Sequence, residues 1–147
     1  MNVLLSASIV LLGAVLSATV HAQDGSLVFE QAWIRAAPPS SAVMAGYVRI
    51  LNRGAVEASI ESVASDAFGA VHLHEMREVD GVMKMRSIEA LSVAAGESVA
   101  LAPGGLHLML MRPTARLQAG DGVQVEFVLK DGSRQRVDFE VRSDAPR

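Results

Sequence analysis

Hydrophobic and polar residues alternate over short stretches along most of the chain, and clusters of Gly, Pro, Asn, Asp and Ser separate these stretches. Such alternation places successive side chains on opposite faces of a β-strand. Short strands at regular intervals, with turn residues between them, are typical of a β-sandwich or a β-barrel. The pattern therefore predicts an all-β fold with strands over residues 27–35, 45–51, 58–64, 70–79, 82–88, 98–101, 106–112, 122–130 and 133–141.

The clearest hairpin lies near the end of the chain, around the pair Asp131-Gly132. This pair favours a two-residue type I′ turn, so we expect the two flanking strands to be joined in that way. The apolar residues of these strands occupy every second position and are predicted to face the core: Val123, Val125, Phe127, Leu129, Val137, Phe139 and Val141. The single Trp33 and the single Tyr47 are also assigned to the core.

The first residues of the chain differ from the rest. Residues 1–22 contain no charged side chain, and their apolar run ends in the small-residue segment Val20-His21-Ala22. This pattern predicts a secretory signal peptide over residues 1–22 that is cleaved before Gln23. An uncleaved membrane anchor is the alternative, but the run is short and Gly13 interrupts it. Residues 23–147 are then long enough for one domain with a sizeable core.

Charge and cysteine content exclude several classes of function. The net charge is −3 with both signs interspersed, so there is no basic patch of the kind that binds nucleic acid. The sequence contains no cysteine, which leaves no residue for disulfides, thiolate metal sites, thiol catalysis or a lipidated cysteine.

Histidine and methionine are concentrated in one part of the chain. The three histidines after residue 22 and five of the six methionines after that point lie between His72 and Met111, whereas Met44 lies in a predicted loop. If Asp80-Gly81 is a two-residue turn, Met76 lies opposite Met85. One face of that hairpin then carries His72, His74, Met76, Met83 and Met85.

The strand over residues 106–112 adds a second set of such side chains. Leu106, Leu108 and Leu110 form its natural core face. His107 and Met109 alternate with them and are expected to point to the edge or the outside of the sandwich. Two strands that each present His and Met on one face are predicted to converge on a single ion.

The donor atoms of these residues indicate the type of ion. Thioether sulfur and imidazole nitrogen together suit Cu(I), and a set without carboxylate or thiolate disfavours harder divalent ions and a blue-copper centre. Methionine also fills gaps in ordinary cores. For His72, Met76, Met83 and Met111, taken singly, a structural role is therefore the preferred interpretation. For His74, Met85, His107 and Met109, the joint spacing raises the weight of a role as metal ligands.

The spacing of those four residues is His, ten residues, Met, twenty-one residues, His, one residue, Met. In this respect, and in the segments AWIRAAPP, LNRG, HLHEM, DGVMKMRSIEAL and APGGLHLMLM, the chain resembles the periplasmic copper chaperone family PCuAC. The resemblance implies a single cupredoxin-like Greek-key β-sandwich in the bacterial periplasm that binds one Cu(I) through His74, Met85, His107 and Met109. It further implies delivery of copper toward the CuA site of cytochrome c oxidase subunit II, often alongside a Sco-type thiol protein.

The sequence leaves two alternatives to a copper carrier. An exported β-sandwich that docks another protein through a Met-rich surface, without metal, is the main alternative, because methionines suit adaptable interfaces. An enzyme is disfavoured, since the sequence contains no G-x-S-x-G segment and no Ser, His and Asp set in a recognisable context.

Overall fold

The computed structural model describes residues 26–145, and the predicted signal peptide over residues 1–22 lies outside them. The described residues form these strands: β1 (Leu27–Arg35), β2 (Val43–Asn52), β3 (Ala58–Ala64), β4 (Phe68–Val79), β5 (Val82–Ser87), β6 (Leu91–Val93), β7 (Ser98–Leu101), β8 (Leu106–Pro113), β9 (Gly122–Leu129) and β10 (Arg134–Arg142). Every predicted strand is present with ends within two residues of the prediction, and β6 is additional. Residues 26–145 include no helix long and apolar enough to cross a membrane.

The strands close into a barrel-like sheet. Its order is β4-β8-β2-β1-β10-β9-β3, and β3 returns to β4 through the pair Val63–Val71. The pair β1–β10 is parallel and the other pairs of the ring are antiparallel. β5, β6 and β7 extend the sheet beside β4, β3 and β2. Strands such as β2 and β8 are neighbours although they lie far apart in the chain, as in Greek-key connections. The predicted all-β Greek-key architecture is confirmed.

The leucines of β8 form part of the core, as predicted. Leu108 and Leu110 are both 0% exposed and pair with Gly46 and Met44 of β2. A Cβ added to Gly46 would come within 3.0 Å of Leu110 Cδ1, so the absence of a side chain there makes room for the leucine. The prediction that Met44 lies in a loop is wrong, because β2 begins at Val43 and Met44 is buried.

The connection between β9 and β10 differs from the prediction. Leu129 N donates to Ser133 O at 2.9 Å, and Arg134 pairs with Val128, so the loop between the paired residues Leu129 and Ser133 has three residues rather than two. Gly132 alone takes a positive φ, 84°, which is the usual arrangement when a three-residue loop ends in a left-handed glycine. Ser133 N donates to Asp131 Oδ1 at 2.8 Å, and this contact accompanies the longer turn.

The hairpin of β4 and β5 matches its predicted register. Asp80 and Gly81 have φ values of 53° and 76°, as a two-residue type I′ turn requires, and Val79 pairs with Val82. In the described part of the chain β5 pairs with β4 alone, and every residue of β5 is exposed. This hairpin therefore extends the sheet at its edge and presents its two faces to solvent.

Candidate metal site

Three neighbouring strands bring the histidines and methionines onto one outward face. β4 lies between β5 and β8, and His74 at its centre pairs with Ser87 on one side and His107 on the other. Directly paired residues share a face of the sheet, and residues two apart on a strand share it as well. His72 and Met76 therefore stand on the same face as His74 and His107.

His74 and Met85 are in contact. His74 Nδ1 lies 3.2 Å from Met85 Sδ, although Met85 pairs with Met76 rather than with His74. The two residues are diagonal neighbours across the hairpin, as the two-residue turn predicts. Met85 is 48% exposed. The contact thus places a nitrogen donor and a thioether donor side by side at the edge of the barrel.

His107 is oriented by the backbone. Its Nδ1 lies 3.0 Å from Gly105 O, and because a carbonyl only accepts, Nδ1 carries the proton and donates it. The same carbonyl accepts from Met76 N at 3.1 Å, which ties this segment to β4. Nε2 of His107 is therefore the nitrogen with the free lone pair, and a ring held in this way is a typical metal-ligand arrangement.

His107 is less accessible than its position in the sequence indicates. It lies on the outward face, as predicted, yet it is only 7% exposed. The His74 and His107 rings meet edge to face, with centroids 5.9 Å apart and an interplanar angle of 84°. Gly46 pairs with Leu108, so the next residue of β2, Tyr47, lies beside His107 on the outward face. Neighbouring strands thus cover the ring without moving it into the core.

Met109 lies two residues after His107 in β8 and therefore shares its face of the sheet. It is half-buried and pairs with His72 of β4 and Ala45 of β2. Met109 is therefore a diagonal neighbour of His74, within the span that long side chains bridge. The structure brings His74, Met85 and His107 into adjacent positions and places Met109 beside them.

The charge environment favours neutral ligands. Burial, followed by the proximity of His107 and His72, lowers the pKa of His74 below its usual value of 6.5. No group of three or more His, Cys, Asp or Glu residues within residues 26–145 is arranged to hold a metal ion. A metal site on this face would therefore depend on thioether sulfur, and that requirement selects a soft ion.

The remaining histidine and methionines lie around this centre. The His72 ring is exposed and stacked near the His74 ring, with centroids 6.3 Å apart and an angle of 18°. Met76 pairs with Met85, and Met83 is 49% exposed nearer the turn. Met111 follows Met109 on the outward face of β8. Sequence reasoning missed Gly105, whose contribution is a carbonyl oxygen and therefore leaves no signal in side-chain patterns.

The two aromatic residues predicted to lie in the core, Trp33 and Tyr47, are buried, but they lie on the outward face. The Trp33 and Tyr47 rings are 4.8 Å apart, and the Arg35 guanidinium lies 5.7 Å from each ring centroid. Ile34, between Trp33 and Arg35, is the core residue of this part of β1. The β-bulge at Gln31, which has a φ of 53°, precedes this segment of the strand.

Comparisons with known proteins agree with this fold. The family described as "Putative lipoprotein LpqE-like" matches residues 27–141. A relative from Leifsonia xyli subsp. xyli, "Putative lipoprotein Lxx21020", is 33% identical over 120 residues, which span 81% of this chain and 70% of that protein.

Two solved structures show the same architecture. The copper-bound PCuAC domain from PmoF2 superposes with a TM-score of 0.67 at 19% identity, covering 82% of this chain and 95% of that domain. The Cu(I) form of DR1885 from Deinococcus radiodurans superposes with a TM-score of 0.65 at 24% identity, covering 80% of this chain and 78% of that protein. The predicted resemblance to PCuAC and the predicted cupredoxin-like fold are confirmed. The chain belongs to the LpqE-like family, and its fold is that of the PCuAC domain.

Proposed function

We propose that this protein is a copper carrier that binds one Cu(I) through His74, Met85, His107 and Met109. The observation that carries the proposal is the 3.2 Å contact between His74 Nδ1 and Met85 Sδ, beside the free Nε2 of His107. Support also comes from the similar structures, one of which is described as copper-bound and another as a Cu(I) form.

The ligand set suits transfer rather than permanent storage. Two imidazoles and two thioethers are neutral, so the bound ion keeps its single positive charge and no thiolate holds it. Met85 is half exposed at the edge of the hairpin, whereas His107 is buried and tied to Gly105. An incoming ligand from a partner can replace the exposed thioether first, and His107 is the ligand expected to leave last.

The location and the acceptor are part of the same proposal. The uncharged segment over residues 1–22 supports export to the periplasm with cleavage before Gln23. The resemblance to PCuAC supports delivery of copper toward the CuA site of cytochrome c oxidase subunit II, with a Sco-type protein as a further partner. Within this proposal copper is cargo, and the protein has no catalytic role.

Competition with a coloured Cu(I) chelator tests the copper site. Purified protein is expected to withhold one tight equivalent of Cu(I), and Met109→Leu or His107→Ala is expected to release it to the chelator. Met83→Leu is the matched control, because it removes an exposed thioether from the same hairpin but leaves the four proposed ligands in place. Equal competition by the parent protein, Met109→Leu and His107→Ala would overturn the assignment.

A second candidate function is protein docking without metal. Met83 and Met85 are 49% and 48% exposed and form an apolar surface on the hairpin, which is a feature of adaptable interfaces. Metal analysis distinguishes the two functions. Protein purified from copper-supplemented cells should contain copper if it is a carrier and none if the surface serves docking alone.

A further inference from the structure

The outward face of β4 and β8 continues beyond the four proposed ligands. His72 pairs directly with Met109, and Ala70 pairs with Met111 in the next position. His72 and Met111 are therefore diagonal neighbours on one face, at a separation that long side chains bridge. An imidazole and a second thioether thus lie next to Met109, on the side away from Met85.

His72 is available as a ligand. The other two histidines each have a close contact, His74 with Met85 and His107 with Gly105. Neither ring nitrogen of His72 hydrogen-bonds to another part of residues 26–145, and the side chain is exposed. Its ring stacks at 6.3 Å from the ring of His74. The imidazole of His72 is therefore available to bind an ion that dissociates from His74.

The neighbours of Met109 and Met111 leave room for both thioethers to turn. Met109 has Ala45 beside it on β2, and Met111 has Ala70 beside it on β4. Alanine side chains end at Cβ, and methionine has three rotatable bonds that let its sulfur reach different positions. Both histidines lie on β4, so rotation of the Met109 side chain about these bonds can bring its sulfur toward His74 or toward His72.

We propose that His72, Met109 and Met111 form a second, weaker Cu(I) station, through which the ion passes to or from the four-ligand site. This inference rests on the proposed carrier function. In the transfer Met109 keeps its bond to copper, the bonds to His74, His107 and Met85 break, and bonds to His72 and Met111 form. Copper remains Cu(I) throughout, and no proton moves as long as His72 is neutral.

The second station should bind more weakly for two structural reasons. It offers three donors instead of four, and His72 is exposed with no contact that fixes its ring, so binding must order the side chain. Met109 belongs to both stations, so a second ion binds only by sharing or taking over this thioether, and its affinity is lower than that of the first ion. These properties suit a transient position on a transfer route.

Cu(I) titration followed by NMR of the histidine rings and the methionine methyl groups tests this proposal. Anaerobic Cu(I), which is diamagnetic, is added to the full protein. The first equivalent is expected to shift the signals of His74, Met85, His107 and Met109. A second, weaker equivalent is expected to shift those of His72 and Met111, and this response should disappear in His72→Ala and in Met111→Leu.

The variants and the control separate this inference from the carrier function. His72→Ala and Met111→Leu should keep the first equivalent, and Met83→Leu should keep both. Binding of a single equivalent, or a second equivalent that shifts Met76 and Met83 instead, overturns the second station and leaves the carrier intact. If no Cu(I) binds at all, the carrier function and the second station both fail.

Discussion

His74 and His107 face each other directly across the β4–β8 pair, with ring centroids 5.9 Å apart. They differ in their surroundings: His107 is buried and donates to Gly105 O, whereas His74 is more open and contacts the sulfur of Met85. One imidazole is therefore fixed by the backbone, and the other is fixed only by a movable thioether. This difference gives the proposed site a rigid side and an exchangeable side.

The protonation of His74 provides the first prediction. Burial, then His107 and then His72, lower its pKa, so His74 stays neutral to a lower pH than an ordinary histidine. Only a neutral imidazole binds metal, so the contribution of His74 to Cu(I) affinity should persist through pH 6.5 and fall at lower pH. NMR titration of the metal-free protein should show a His74 midpoint below 6.5.

A single substitution tests the cause of that shift. His72→Ala removes one of the two neighbouring imidazoles, so the pKa of His74 should rise toward its usual value. Met83→Leu, which changes no titratable group, should leave the midpoint unchanged. A midpoint at or above 6.5 in the parent protein, or no change in His72→Ala, would contradict this account of the electrostatics.

Gly81 carries the second prediction, because the turn that it forms sets the register of the hairpin. Its φ of 76° lies in the left-handed region that side chains rarely adopt. Gly81→Ala should lower the free energy of unfolding by about 1 kcal/mol and weaken Cu(I) binding, since the contact between Met85 and His74 depends on this register.

The matched control for Gly81→Ala is Gly122→Ala. Neither position has an atom within 4 Å of an added Cβ, but Gly122 lies in β9 without a positive φ. Gly122→Ala should therefore leave stability and Cu(I) binding close to those of the parent protein. Denaturant unfolding measures the change in stability, and the chelator competition measures the change in Cu(I) binding. Equal stability and equal Cu(I) binding of the two variants would contradict the prediction.

Sequence alone was sufficient for most of the fold and for the placement of the four candidate ligands on one face. Alternation identified the strands, and Asp80-Gly81 fixed the pairing that brings Met85 beside His74. Strand β6 was missed because three residues are too few to show alternation. A second Asp-Gly pair, at residues 131 and 132, was predicted to form a two-residue turn. That prediction is wrong, because the pair forms part of a three-residue loop.

The environment of His107 required the tertiary structure. Alternation with Leu106 and Leu108 correctly assigns His107 to the face opposite the core. Its burial arises from strands that are distant in sequence, and its orientation depends on the carbonyl of Gly105. Neither feature has a side-chain signature, so the sequence predicts His107 as a ligand but not its burial or its fixed orientation.

The two faces of β8 give the third prediction. Leu110 is fully buried and Met111, the next residue, lies on the outward face. Leu110→Ala should lower the free energy of unfolding by about 2–5 kcal/mol, because it leaves a cavity in the core. Met111→Ala should cost less than Leu110→Ala, because the Met111 side chain lies outside the core and its removal leaves no enclosed cavity. Thermal or denaturant unfolding of both variants should separate them clearly, and similar losses would contradict the assignment of faces.

The fourth prediction concerns the face of the β4–β5 hairpin that lies opposite His74 and Met76. Two positively charged side chains are paired there. Arg77 and Lys84 are directly opposite each other, and within residues 26–145 neither forms a salt bridge, whereas Glu75 and Arg86 beside them are paired at 2.7 Å. Like charges at directly opposed positions are destabilising. Lys84→Glu should therefore raise the free energy of unfolding by about 0.2–1 kcal/mol at low salt.

A double-mutant cycle isolates the repulsion between these two side chains from their other effects. Arg77→Glu should stabilise the hairpin as Lys84→Glu does, and the double variant should lose the gain because two carboxylates then face each other. Salt screens exposed charges, so the differences should shrink as ionic strength rises. Unfolding measured at low and high salt tests this cycle. Additive gains in the double variant would mean that the side chains at positions 77 and 84 do not interact, and that the stabilisation comes from the overall charge of the hairpin.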